Sequence, residues 1–504
     1  MAKNEVKYGA LLSYILIFLN SIYGLVIAPF ILSTIGTSEY GVYKSIGSMT
    51  ASLTVLELGI GGTMQRYIAK FNSLNQKKEA QNFSAMGLIQ AVFLSIIMIS
   101  VSVCMFFSID KIYGSSFSPS ELNRANQIFI IQVIYFVFHI FENVLFGIIS
   151  GFNRFIFSNT VKVVTIILKI SLYFIFLPIF KNSLVIVSIS LLLEFLIISF
   201  EIIYIKKVIN HKIHLYKWDG ALFKESFIYT LLLFLQSIII QFNGNVDNIV
   251  IGAVMGTAAV TVYSFALQIF NMYETFATAI SGVILPTVTK LIHTGASSEE
   301  LEKTVIKYGR IQWTFLGAVL VGFLCFGKEF FNLWLGKGFS DSWYLSIILM
   351  IPVTFPLIVN VCLAILKAKN LLKFRTVCMA YSVLINVLFT VIGTRFFGYW
   401  AAALGTALYT IVGSIISMSI YYKKKLEFNI IKIYYKIFSR ITPCLIITCI
   451  PSLILNKLIS GSWISLIIKV FVFVLIYFLL LLFFGFNNEE RESIHFKRGE
   501  KTCE

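Results

Sequence analysis

Charged and amide side chains set inside long apolar runs are where this 504-residue sequence could do chemistry. Glu57, Glu142, Asp247 and Glu274 lie deep within such runs, as does Lys169, and Glu194 and Glu201 share another. A charge at membrane depth is costly, so each is a candidate for function or for a buried ion pair. A carboxylate there can load and release a proton or hold a cation such as Na+. An ammonium or guanidinium can hold an anion, and amides can bond sugar hydroxyls.

The spacing adds structure to this inventory. Gln132, His139, Glu142 and Asn143 fall on one helical face, as do Gln241, Asn245 and Asn248, with Asn243 and Asp247 beside them. Ser264, Gln268, Asn271, Thr275, Thr278 and Gly282 alternate by four and three, with Glu274 adjoining. Such stripes face either a wet interior or another helix, where they act as hydrogen-bonding glue. A lone histidine such as His139 is read as a satisfied hydrogen-bonder, and Arg66 and Glu201 have the alternative of reaching the membrane surface. No P-loop, HExxH, GxSxG or dinucleotide fingerprint appears, so the sequence gives no reason to expect an enzyme or direct ATP drive. The seven cysteines are scattered without CxxC spacing, and no metal site or cofactor is expected.

The elements that must position these groups are read from hydropathy. The chain is 58% hydrophobic and 13% charged, with mean hydropathy +0.87. A soluble chain carries about a quarter charged residues, so the composition predicts an all-α polytopic membrane protein. Apolar runs give fourteen spans: 9–33, 40–64, 83–108, 125–150, 157–180, 183–205, 225–252, 258–288, 307–330, 344–366, 374–395, 399–422, 439–459 and 463–485. Pro29, Pro352 and Pro356 should bend theirs. The net charge of +17 sits in short loops between spans, which suits anionic lipid and not nucleic acid. Basic loops such as Lys206/Lys207/Lys212/Lys217 and Lys423/Lys424/Lys425 place both termini in the cytoplasm.

Two longer cytoplasmic segments divide the chain. Residues 1–205 form an expected N-terminal six-helix bundle, and 206–224 a linker. Residues 225–422 form a second six-helix bundle and 423–438 a second linker. Two additional helices (439–485) and a cytoplasmic tail (486–504) complete it. A faint repeat agrees with the division: Gly36-Thr37 through Val42-Tyr43 and Gly256-Thr257 through Val262-Tyr263 share the pattern GTxxxxVY. Six spans per half give the halves the same orientation, as in parallel-repeat transporters.

Several segments resemble a known family. They are Ile35-Gly36-Thr37-Ser38-Glu39-Tyr40-Gly41-Val42-Tyr43, then Glu57-Leu58-Gly59 through Arg66-Tyr67, and Asn245 through Gly252 running on to Val262-Tyr263-Ser264. Pro286, Phe326-Gly327 and Ala364 through Lys369 continue the pattern. Over roughly residues 8–425 the chain is similar to the Wzx-like polysaccharide flippases of the multidrug/oligosaccharidyl-lipid/polysaccharide exporter superfamily. It departs from them at Thr261, where the family often has glycine.

The resemblance implies two six-helix bundles around a central cavity, plus two C-terminal helices. Its implied cargo is an oligosaccharide repeat unit on undecaprenyl pyrophosphate, for O-antigen, capsule or another surface polymer, flipped across the cytoplasmic membrane by alternating access. Lys44, Arg66, Lys169 and Arg310 are candidates for the anionic head group, and Asn20, Asn245, Gln268 and Asn271 for sugar hydroxyls. Glu57, Glu142, Asp247 and Glu274 are candidates for coupling to H+ or Na+. Membrane lipids and the undecaprenyl-linked glycan are the implied partners, and a polysaccharide polymerase and chain-length proteins are further ones. A cation-coupled multidrug efflux pump, a lipid II flippase and a non-transporting assembly factor remain as alternatives.

Overall fold

The computed structural model describes residues 8, 12, 15–57, 59–282, 288, 290–292, 294–369, 371–459, 461–487 and 490, with side chains apart from those of 56, 229, 231–240, 242 and 279–282. Pro286 lies outside these residues.

Among the described residues, helix occupies part of each of the fourteen expected spans. In chain order they are α1 (Ala28–Ala51), α2 (Ile60–Ser73), α3 (Lys77–Phe106), α4 (Pro119–Gly151), α5 (Phe155–Phe180), α6 (Leu184–Lys207), α7 (Gly220–Met255) and α8 (Thr257–Gly282). Then come α9 (Ser298–Trp334), α10 (Ser340–Ile358), α11 (Asn360–Ala368), α12 (Lys373–Phe397), α13 (Tyr399–Tyr409), α14 (Met418–Leu426), α15 (Ile430–Leu458) and α16 (Trp463–Leu480). Among the described residues, eleven helical segments are long and apolar enough to cross a bilayer. One of them, Ile15–Ser73, is 59 residues long and takes in the second expected span and most of the first. The chain is an all-α, multi-pass membrane protein.

Local sequence explains where the helices start and break. Ser118 and Ser297 each bond the amide three residues on, and Glu121 and Glu300 reach back, closing capping boxes at α4 and α9. Pro29 opens α1 behind a π-helical stretch, Tyr23–Ile27, because proline lacks the amide a continuing helix would use. The expected linker 423–438 is largely helical: α14 runs to Leu426 and α15 begins at Ile430. Its basic residues read as loop, yet lysine and arginine are good helix formers that extend a span beyond the hydrocarbon.

The chain forms two compact units. The first comprises residues 1–264 and 389–402, and the second 265–388 and 403–504. In the first, the core joins Met64, Tyr67 and Ile68 of α2 to Phe83 and Met98 of α3 and to Ile140, Val144 and Ile148 of α4. In the second, Cys325 and Phe326 of α9 pack on Leu466 and Phe473 of α16. Lys469 is fully buried there; its ammonium bonds Glu329, and Asn456 Oδ1 accepts a further bond at 3.0 Å.

The two GTxxxxVY segments adopt matching backbones within the first unit. Gly36 has φ 82 and ψ 170, and Gly256 has φ 83 and ψ −174, a left-handed region that glycine enters without strain. The segments also meet each other reciprocally. A Cβ placed on Gly41 would lie 2.0 Å from the Thr257 carbonyl oxygen, and Thr261 Oγ1 donates to the Thr37 carbonyl at 2.8 Å. Position 41 thus touches 257 while its repeat counterpart, 261, touches 37, as two copies related by a local twofold do. Thr261, the departure from family pattern, is the residue that makes this bond.

Candidate functional site

The first unit places a buried acidic cluster around one imidazole. Glu57 sits where a 3-10 segment, Ser52–Leu56, hands over to α2. Irregular backbone at membrane depth is tolerated where protein or a cavity surrounds it, and broken helices mark transporter sites. Gly59 permits the break to pack, since a Cβ there would lie 2.6 Å from the Thr230 carbonyl oxygen. From α4, His139 and Glu142 project one turn apart, and Glu194 arrives from α6.

His139 is the hub. Its Nδ1 lies 2.9 Å from Glu194 Oε1 and 3.6 Å from Glu142 Oε2, and its Nε2 lies 3.8 Å from Glu57 Oε2. Tyr135, one turn back, stacks on the imidazole with ring centres 5.5 Å apart. All three carboxylates are buried, whereas about a third of the His139 side chain is open to a neighbouring cavity of about 300 Å3. Asn20, Tyr135, Lys162, Thr165, Lys169 and Ser190 also line it. A single polar chamber therefore offers carboxylates, an imidazole, two ammonium groups and several hydrogen-bonding side chains.

The sequence candidates divide between this chamber and other places. Glu57, Glu142, Lys169 and Asn20 belong to the chamber or its acidic wall. Lys169 and Glu142, on neighbouring helices, do not pair with each other. Lys169 Nζ instead lies 6.0 Å from the Tyr23 ring centre and 5.9 Å from that of Tyr173, and His139 contacts Glu142. Lys44 lies over Tyr40 and Tyr43, and Arg66 is exposed on α2. Asp247 is buried, accepting from Tyr263 Oη at 2.6 Å and from Thr390 Oγ1 at 3.3 Å. Asn245 bonds Gln241 one turn back, while Gln241 reaches Thr54 and Asn248 reaches Ser48. The polar face of α7 is thus bonded to α1 and the 3-10 segment, as helix glue.

Gln268, Asn271 and Glu274 lie on α8 in the second unit, with Asn271 exposed and the other two half-buried. Arg310 is committed to structure. Its Nε and Nη2 donate to the Glu490 carboxylate at 2.7 and 2.9 Å, Nη2 also donates to the Gly485 carbonyl, and Nη1 donates to that of Lys436. That takes it out of the anion-binding set.

Lys162 and Tyr135 complete the chamber and are absent from the sequence candidates, Glu194 figures there only as a deep charge without an assigned role, and His139 as merely satisfied. The partnership of Glu194 with His139 depends on α4 and α6 packing side by side, which spacing along one helix does not reveal.

Residues 6–292 match the model of the family described as "Polysaccharide biosynthesis protein". A protein of Salmonella typhi provisionally named an O-antigen transporter is 24% identical over 283 residues, which cover 53% of this chain and 61% of that protein. The alignment thus spans about three fifths of that relative's length. Among solved structures, the lipid II flippase MurJ in an inward-closed conformation superposes with TM-score 0.71 at 15% identity, covering 97% of this chain and 99% of its own. An inward-facing multidrug resistance transporter of the MATE family and MOP superfamily gives TM-score 0.63 at 15% identity, covering 82% and 95%. These likenesses establish the fold. The family match takes in more than half of the sequence, so this chain belongs to the polysaccharide biosynthesis protein family, and it shares its fold with these solved structures.

Proposed function

We propose that this protein is a flippase that moves undecaprenyl-pyrophosphate-linked oligosaccharide repeat units from the cytoplasmic to the outer leaflet of the cytoplasmic membrane, with both termini in the cytoplasm. The observation that carries the reading is the polar chamber of the first unit, in a chain of this family. Carrying a sugar and a pyrophosphate past about 30 Å of hydrocarbon requires a polar, partly cationic shelter, while the polyprenyl tail can stay in lipid. Lys162 and Lys169 would hold the anionic head group as point charges, and Asn20, Tyr135 and Ser190 would bond sugar hydroxyls. Lys44 and Arg66, outside the chamber, would attract the anion on its way in.

Glu57, Glu142, Glu194 and His139 would supply the coupling, since loading a cation or proton there changes the charge the lysines face. Asp247 and Glu274 are further coupling candidates, Asp247 as a group that both holds α7 in place and can change its protonation. The transport cycle would rock the helix bundles by alternating access. A polysaccharide polymerase and chain-length proteins would receive the flipped unit.

Deletion of the gene should make lipid-linked repeat units accumulate on the cytoplasmic side and remove surface glycan. Lys169→Ala should lower surface glycan at least tenfold with normal membrane insertion. Export that survives deletion, with no accumulated precursor, would sink the flippase reading. If deletion instead sensitises cells to hydrophobic cations and leaves glycan intact, the efflux alternative takes its place.

A further inference from the structure

The acidic cluster has a donor set that protons and Na+ do not require. His139, Glu142 and Glu194 each present a ligand atom, and these atoms all lie within 4.8 Å of one another. Donors on opposite sides of a first-row divalent ion sit about 4 Å apart, given bonds of about 2.0–2.2 Å. Carboxylate rotation that draws the widest pair in by about an ångström would close the set. An imidazole joined to carboxylates suits Zn2+ or Mn2+, whereas Mg2+ and Ca2+ favour oxygen alone.

Glu57 supplies the second observation. It is buried, its Oε2 faces His139 Nε2 at 3.8 Å, and its Oε1 is enclosed yet accepts no hydrogen bond. A histidine that binds a metal through one ring nitrogen commonly donates the other to a carboxylate, which fixes the tautomer. Glu57 stands where that carboxylate would be, leaving Nδ1 toward Glu142 and Glu194. The Tyr135 ring holds the imidazole plane from its side.

Charge also favours a divalent ion. The cations facing the chamber are Lys162 and Lys169 of α5, and the anions facing His139 are Glu57, Glu142 and Glu194. With the imidazole neutral, these three carboxylates and the buried Glu201, which interacts with Glu142 and Glu194, outnumber the two ammonium groups inside a membrane helix bundle. One divalent ion would offset that excess and remove the repulsion a phosphate would meet in the chamber.

We propose that Glu142, Glu194 and His139, oriented by Glu57, form a binding site for a divalent transition-metal ion of the Zn2+ or Mn2+ class within the first unit. The site builds on the chamber used above, but binding is read without transport, so its failure would leave the flippase reading standing. The test uses the full chain purified in lipid nanodiscs and stripped of metal with chelator. Mn2+ is titrated by loss of its free electron-paramagnetic-resonance signal, and Zn2+ by competition with it. One Mn2+ should bind per chain. His139→Gln and Glu194→Gln should abolish it, and Glu57→Gln should weaken it by about 10–100-fold as an orienting carboxylate does. Glu79→Gln, at an exposed acid on α3, serves as the control and should bind like the parent. Each variant is first checked for a monodisperse elution profile, and Glu57→Gln retains shape and hydrogen-bonding groups if the harsher changes misfold. No stoichiometric ion, or binding that His139→Gln and Glu194→Gln leave intact, would overturn the proposal. Displacement of Mn2+ by millimolar Na+ alone would overturn it as well, since the site would then be one for a monovalent cation.

Discussion

His211 shows what a single buried group does to this protein outside its spans. It lies in the segment between α6 and α7, only 5% exposed, with Nε2 2.9 Å from Ser84 Oγ and its ring set edge-on to Phe152. Burial pushes its pKa down to about 4, against an ordinary value of about 6.5. The folded imidazole therefore stays neutral while the unfolded one takes up a proton as the solution is acidified. The stability this arrangement gives is fully present above about pH 6.5, falls as pH drops toward 4, and is flat below that as far as this group is concerned. Thermal unfolding followed by tryptophan fluorescence should show the melting temperature falling across that window. His211→Gln keeps a partner for Ser84 but cannot titrate, so its slope should be shallower. Equal slopes would mean that other groups set the acid sensitivity. Arg310 makes the complementary point: a guanidinium that the sequence offered as a ligand for cargo is spent on Glu490 and two carbonyls.

At the scale of elements, the reciprocal contact between the repeated segments is the sharpest constraint. The α1 backbone approaches the first turn of α8 so closely at Gly41 that a methyl group would meet the Thr257 carbonyl oxygen at 2.0 Å. A backbone oxygen cannot swing away as a side-chain tip can, so the helices themselves must part. Gly36 differs: a Cβ there meets nothing within 4 Å, and the cost of a side chain is only its positive φ, of order 1–3 kcal/mol. Gly47 is freer still, with Gln132 Nε2 at 3.8 Å as its nearest neighbour. Melting temperatures should therefore fall in the order Gly41→Ala most, Gly36→Ala less, Gly47→Ala hardly at all. If Gly41→Ala melts like Gly47→Ala, the close approach of the two repeats is not a feature of the stable fold.

For the whole molecule, the all-α multi-pass architecture was legible because hydropathy and loop charge are local signals, repeated along the chain. Helix ends were less so, since the lysine-rich 423–438 stretch reads as a loop and folds as helix on either side of Glu427–Asn429. The deep acids Glu57 and Glu142 were legible as costly charges, but the hub role of His139 was not, because its three partners come from the break before α2, from α4 and from α6. Arg310 was misplaced for the same reason, its carboxylate lying 180 residues away. What local charge does predict is orientation. The basic segment after α6 would face anionic lipid on the cytoplasmic side, and the short helix Ile109–Tyr113 between α3 and α4 would face outward. Lys217 and Lys111 are exposed at those two places. With the seven native cysteines changed to serine, Lys111→Cys should react with a membrane-impermeant maleimide on intact cells. Lys217→Cys should react only after permeabilisation. The opposite pattern would turn the molecule over, and with it the direction in which the chamber must first receive its cargo.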